Sequence, residues 1–588
     1  MRFKYVCGMF AAAAMMVSCV GTLAEPVTVQ PAPNLAEETP IIDPENPLKI
    51  QFVGLYETQM TMSDGTVRSL YQYLPETLGY RQPLVTIAMP SGSDPSAYLE
   101  SSNWQKIADQ YGMTIVLAQA GENGWQEDES EYMEAVFNYM DKRVYYICQD
   151  SAFYMVGYGD AANAMMTEVA SHADRYAGTA VFDLEHFDTS VLDQMRQTPS
   201  AKEGVMQSKV ALPVFIGAKE RTPEVEALIE YWKQANECEG EPMSNAYANE
   251  IYTYPAYKAN TNELTYAHVS QVMVSINDQD ETREELVQYI YSDYLRRVRR
   301  QDSGDIAALR WFATPEELGM DYRTIVVDGK TREFYVYVPT QYRANNETKL
   351  PVVFAFHGGG GSGEEFGGRT SWYKVAEERG FIVVFPTGSR KYVDIQANSF
   401  TPRSGWSESD TEFFKAMYDY MLENYTVDAS RVYTSGQSQG AFMSQYVAAA
   451  YPQLLAAASA CSVFQDFTKL ENRVESTVLP MMWSIGMKDK YGPYSEERNA
   501  EITNQMQYWF DRYDIDGTED KYSYVDGDMV IDEYTTDEGE PLMRFQWVKE
   551  KVHANIPDEC YAFYDYLCQF SRGEDGTLYY MGHPVKME

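Results

Sequence analysis

Gly436-Gln437-Ser438-Gln439-Gly440 sits between a short apolar run, Val432-Tyr433-Thr434, and a helix-forming run, Ala441 to Tyr446. The order strand, sharp turn, helix predicts a serine hydroxyl lifted clear of a sheet edge. Gly436 and Gly440 tolerate the crowding beside a strained backbone. Taken alone the pattern is short and built from common loop residues. Three features elsewhere in the chain point the same way.

The first lies upstream, where Leu350-Pro351-Val352-Val353-Phe354-Ala355-Phe356 reads as a buried strand and runs straight into His357-Gly358-Gly359-Gly360-Gly361. Glycines at a strand's carboxyl end let backbone N–H groups approach a reacting atom. One such group pairs with the N–H after a nucleophile to hold an oxyanion. The candidate donors are Gln439 and Gly358 or Gly359, with His357 supporting the loop. The second feature is an acid. Pro480 to Ile485 reads as a central strand followed by Gly486-Met487-Lys488-Asp489, which places Asp489 where it can orient an imidazole. The third is a base. Beyond residue 312 the histidines are His357, His553 and His583. His553 follows the strand Arg544-Phe545-Gln546-Trp547-Val548 and precedes the helix Cys560 to Leu567, whereas His583 lies in a segment with no regular pattern, so elimination favours His553. The order Ser438, Asp489, His553 is that of the α/β-hydrolases.

Residues 320 to 575 resemble the secreted esterases that include polyhydroxybutyrate depolymerases, feruloyl esterases and acetylxylan esterases. The resemblance is carried by the His357-to-Gly360 loop, by Ala376 to Pro386, by Val427 to Tyr433 leading into the turn, and by a closing helix ending at Ser571-Arg572. It implies an ester substrate, polymeric in these relatives, and a serine mechanism without cofactor or metal. Two departures stand out. Gln437 and Gln439 replace the small or apolar neighbours usual beside the nucleophile, and the surroundings of His553 lack the family's glycine-rich, tryptophan-containing setting. A serine peptidase on the same fold and a non-catalytic binding protein are the rival readings.

The first half of the chain repeats the second. Pro83 to Met89 parallels Pro351 to His357, Gly124-Trp125 parallels Gly405-Trp406, Phe153 to Ala161 parallels the strand and its turn, Ile216 to Glu220 parallels Ile485 to Asp489, and Ser292 to Leu295 parallels the closing helix. In this copy Gly159 stands where Ser438 stands. Met89-Pro90-Ser91-Gly92 replaces the glycine loop, and Pro90 has no N–H to donate. No histidine follows Val269 to Ile276; only the acid position survives, as Glu220. The fold class expected is α/β, two tandem α/β-hydrolase-like domains, 48–311 degenerate and 312–588 catalytic. Trp406, shared with the silent copy as Trp125, reads as structural.

A formal charge of −40 excludes nucleic acid as a partner, because phosphates would be repelled. Residues 1–24 read as a targeting segment: Arg2 and Lys4 precede an apolar stretch, Val6 to Val17, too short for a mature transmembrane helix. Lipid anchoring at Cys19 and ordinary cleavage after Ala24 are both open, and either exit makes the protein secreted or surface-anchored. Residues 25–47, rich in proline and acid, read as a tether. Cys560 and Cys568, about 12 Å apart along a helix, cannot bond to each other, and no disulfide framework is expected. Asp514, Asp516, Asp526, Asp528 and Asp532 lack calcium-loop spacing and read as a solvated hairpin.

Overall fold

A computed structural model describes residues 27–32, 52–142, 148–201, 204–255, 269–302, 307–343, 347–393 and 402–586. The targeting segment, Cys19 and the side chain of Cys148 lie outside them. Two ten-stranded sheets dominate. The first is built from β1 (Val29–Pro31), β2 (Gly54–Thr61), β3 (Val67–Leu74), β4 (Gln82–Ala88), β5 (Thr114–Ala118), β6 (Cys148–Tyr158), β7 (Gly178–Phe182), β8 (Val214–Ala218), β9 (Glu250–Thr253) and β10 (Gln271–Ile276), in the order 1-2-3-5-4-6-7-8-10-9. A hairpin of β11 (Val298–Asp302) and β12 (Ala307–Trp311) leads to the second sheet. Its strands are β13 (Asp321–Val327), β14 (Lys330–Tyr337), β15 (Leu350–Phe356), β16 (Ile382–Pro386), β19 (Val427–Gly436), β20 (Ala457–Cys461), β21 (Met481–Gly486), β22 (Lys521–Asp526), β23 (Met529–Tyr534) and β24 (Met543–Val548), with a separate hairpin of β17 (Ser389–Val393) and β18 (Pro402–Gly405). The order here is 13-14-16-15-19-20-21-24-23-22.

The two orders superimpose strand for strand from β2 to β9 and from β13 to β23. The central strands run parallel; β15, β20 and β21 are buried throughout and β19 from Val432 to Gly436. This follows from near-continuous apolar runs covered by helices on both faces. A finer likeness shows the repeat in register. Between Gln82 and Leu84 the partner on β6 jumps from Cys148 to Phe153; between Leu350 and Val352 the partner on β19 jumps from Val427 to Val432. Each sheet is the α/β-hydrolase type the sequence led us to expect.

Three expectations need correction. Part of the stretch read as tether is sheet: Val29–Pro31 pairs in parallel with β2, and Val27 and Val29 pack on the first core. Proline is tolerated there because the strand is an edge. His583, read in a segment without regular pattern, lies in a short strand opposite Tyr580 and is exposed. The counterpart of the closing helix in the first half, Ser292 to Leu295, is not α-helical: Ile290–Tyr294 is a π-helical turn. Asp526 and Asp528 border the β22–β23 hairpin turn. Cys238, Cys461, Cys560 and Cys568 are free thiols. Among the described residues no helix is long and apolar enough to cross a membrane.

Candidate active site

β19 ends at Gly436, and the helix Gln439–Ala450 starts at once. Ser438, between them, has φ 55° and ψ −117°, a left-handed conformation disfavoured for any residue with a Cβ. The glycines on either side explain how the turn closes. A Cβ on Gly440 would lie 2.0 Å from the Phe356 carbonyl oxygen, and one on Gly436 would lie 2.2 Å from that of Gly440. Only hydrogen fits. The Ser438 N–H donates to the Cys461 carbonyl at 3.0 Å, tying the turn to β20. In the first half Gly159, φ 58°, donates to the Phe182 carbonyl at 3.0 Å. The first half has the same bend with no hydroxyl on it.

Ser438 Oγ lies 2.8 Å from His553 Nε2. His553 Nδ1 lies 2.9 Å and 3.1 Å from the two carboxylate oxygens of Asp489. Asp489 is 1 % exposed and accepts a further 2.9 Å bond from the Tyr491 N–H. The carboxylate as acceptor calls for a proton on Nδ1, which leaves Nε2 to accept from the hydroxyl. The loop bearing His553 is anchored from below by a fully buried ion pair, Lys551 Nζ to Glu559 Oε1 at 2.5 Å, with Ser484 donating to the same oxygen. The Lys551 carbonyl in turn accepts from the Lys488 N–H beside Asp489, at 3.0 Å.

On the other side of Ser438 lies the glycine loop. His357 is buried: its Nε2 accepts from the Gly388 N–H at 2.8 Å and its Nδ1 sits 2.6 Å from the Gly358 carbonyl. Burial pushes its pKa down to about 3, so it is neutral and carries its proton on Nδ1. Trp406 Nε1 donates to the His357 carbonyl at 2.8 Å, as Trp125 Nε1 does to Met89. The pair of tryptophans pins the same loop in both halves. Among the described residues the N–H groups of Gly358, Gly359 and Gln439 have no hydrogen-bond acceptor. Gln439 opens a helix of twelve residues, so its N–H also lies at the positive end of the helix dipole. Gln437 and Gln439, together one of the departures noted above, pack on this loop: a Cβ at Gly358 would meet Gln437 Oε1 at 2.4 Å, and one at Gly359 would meet the Gln439 amide at 2.8 Å.

Together these residues line a cleft of about 360 Å³ with Arg369, Ser404, Tyr491 and Arg81. Tyr491 stands edge-on to His553 with ring centroids 4.5 Å apart and is 66 % exposed. Sequence reasoning missed both Tyr491 and Arg81. Tyr491 lies two residues after the acid and could have been flagged by that spacing. Arg81 belongs to the other half of the chain, and no sequence pattern links it to Ser438.

Comparison with known proteins places this site in context. Residues 327–517 match the family model named Esterase. The curated protein feruloyl esterase B of Talaromyces funiculosus is 27% identical over 220 residues, covering 35% of this chain and 58% of the relative. Acetylxylan esterase A of Emericella nidulans is 34% identical over 179 residues, covering 28% of this chain and 57% of the relative. The chain thus spans somewhat over half the length of these relatives. Among solved structures, an acetyl xylan esterase from Aspergillus awamori is 16% identical, covering 42% of this chain and 99% of its own, with a TM-score of 0.31. The match to the Esterase model lies in the C-terminal half and spans the glycine loop and the Ser438 turn.

Proposed function

We infer that the protein is an exported serine carboxylic ester hydrolase, with residues 312–588 as its working domain and residues 48–311 as a silent copy. The observation that carries this reading is the continuous hydrogen-bonded path from Ser438 Oγ through His553 to buried Asp489, beside the N–H groups of Gly358, Gly359 and Gln439, which have no acceptor among the described residues. Ser438 attacks the ester carbonyl while His553 Nε2 takes its proton. Asp489 holds the imidazole in the required tautomer and stabilises its cation. Charge builds on the carbonyl oxygen, where the amides of Gln439 and of Gly358 or Gly359 receive it. The alcohol leaves with the proton from His553, and water then repeats the sequence on the acyl-enzyme.

The names of the relatives favour feruloyl or acetyl esters of plant polysaccharide over a polyhydroxyalkanoate-type polyester. A fluorophosphonate probe tests the reaction class: it should label wild type and leave Ser438→Ala unlabelled. Labelling of both, or of neither, would refute the assignment of Ser438. Methyl ferulate, p-nitrophenyl acetate, polyhydroxybutyrate film and a peptide amide panel then sort the substrate. Turnover of the amides alone would point to a peptidase instead.

A further inference from the structure

One residue lining the Ser438 cleft, Arg81, comes from the half of the chain that has Gly159 where Ser438 stands. Four successive glycines, Gly358 to Gly361, form the loop whose N–H groups flank Ser438. Glycine loses more conformational freedom on ordering than any other residue, so a loop of four must be held in place if its donors are to be preorganised. Most of the holding comes from the second half. His357 and Trp406 fix the entrance, the Gly360 N–H donates to the Ser404 carbonyl at 3.0 Å, and Ser404 Oγ donates to the Gly361 carbonyl at 2.5 Å. The carbonyl of Gly360 is different. Among the described residues its hydrogen-bond donors are Tyr80 OH at 2.8 Å and Arg81 Nη1 at 2.7 Å, both from the first half.

The same segment of the first half reaches further. The Tyr80 hydroxyl also accepts from the Ser404 N–H at 2.9 Å, which locks it to the strand that braces the loop. Gln82 Nε2 donates to Glu364 at 3.1 Å, at the start of the helix that follows the glycines. Deeper in the same interface Arg299 lies between the Tyr154 hydroxyl, 2.7 Å, and Glu365, 3.4 Å. Arg81 itself has φ 55°. A residue with a Cβ rarely adopts that conformation, and where it persists the surroundings over-determine it. Here it aims a guanidinium at the loop and into the cleft wall.

We propose that the silent half is the holder of the oxyanion loop, with Tyr80 and Arg81 as positioning residues acting through the Gly360 carbonyl. This rests on the ester-hydrolase reading above. The domain without a nucleophile then takes part in turnover without touching the reacting atoms. Trp406 and His357 hold the carbonyls of the peptides that carry the Gly358 and Gly359 N–H groups, and the Gly361 N–H ties the far end of the loop back to the Gly358 carbonyl at 3.0 Å. Releasing the Gly360 carbonyl loosens the Gly360–Gly361 peptide and with it that tie, so the two N–H groups are held less firmly in one orientation for the charge that forms. Ground-state binding of the ester, which does not use those donors fully, is little affected.

The test uses the full-length chain with p-nitrophenyl acetate. Tyr80→Phe/Arg81→Ala should lower kcat by about ten- to a hundred-fold, with KM changing by less than about threefold. Affinity for phenylboronic acid, whose tetrahedral adduct with the serine needs the same donors, should fall in step with kcat/KM. Arg81→Lys, which keeps a donor for the Gly360 carbonyl, should recover much of the loss. If the double variant does not fold, Tyr80→Phe alone removes one donor without changing shape and carries the same comparison. Unchanged kcat and boronate affinity in variants of an active wild type would overturn the proposal. So would a rise in KM with kcat intact. A wild type that neither turns over nor takes the fluorophosphonate probe would sink the hydrolase reading itself, and this inference with it.

Discussion

The backbone at Ser438 offers a sharp test, because the first half carries glycine at the paired position. Compare Ser438→Ala with Ser438→Gly. Both lose the hydroxyl and its 2.8 Å bond to His553, so that loss cancels between them. At an ordinary position glycine is the less stable of the two by roughly 0.5–1 kcal/mol, because it gives up more freedom on folding. At φ 55°, ψ −117° a Cβ carries strain of about 1–3 kcal/mol, which glycine relieves. The balance favours the glycine variant by up to about 2.5 kcal/mol, centred near 1, a reversal of the usual ranking. Guanidinium unfolding followed by tryptophan fluorescence reads both halves, through buried Trp104 and Trp232 in the first and Trp483 and Trp509 in the second, and the transition that differs between the two variants is that of the second half. Ser438→Gly should unfold at higher denaturant than Ser438→Ala, while neither hydrolyses ester. An alanine variant as stable as the glycine variant, or more so, would refute the claim that this turn stores strain.

Three other outcomes follow from the structure. His553→Ala should abolish turnover, whereas His583→Ala, exposed on its short strand, should leave it nearly intact; the reverse pattern in an esterase assay would reassign the base. Glu559→Ala leaves Lys551 charged and buried without its partner, which should lower stability by about 3–5 kcal/mol in chemical unfolding, and replacing both residues by apolar ones should restore most of it. Glu281, buried in the first half beside Arg283, is pushed up from 4.5 to about 7 by burial. Between those values the folded protein keeps a proton that the unfolded chain has released, so stability contributed here falls as pH rises through that window, by up to about 1.4 kcal/mol per pH unit. Subtracting the pH profile of Glu281→Gln from that of wild type should expose that slope; parallel profiles would show that Glu281 ionises normally.

Much of the C-terminal site could be read from local pattern. The Ser438 turn, the glycine loop and the strands around them are short segments whose residue types dictate local conformation: β-branched and aromatic runs for central strands, glycine where a Cβ would strike main-chain atoms. The duplication was legible for the same reason, since Trp125 and Trp406 do the same local job in each half. Other features were not. The edge strand Val29–Pro31 has the composition of a tether and becomes sheet only because β2 offers it a free edge. Gln437 and Gln439 looked like departures beside the nucleophile, and their packing against Gly358 and Gly359 depends on two strands that meet only in the folded sheet.

The amino-acid sequence by itself determined two α/β sheets, one turn with a hydroxyl and one without, because backbone conformation at each turn is set by neighbouring residues. What the tertiary structure alone decided is which side chains converge on that hydroxyl. The reach of His553 and Asp489 to Ser438, and above all the arrival of Tyr80 and Arg81 at the Gly360 carbonyl, depend on how separately folded segments pack, and a side chain's sequence carries no record of the distant surface it will meet.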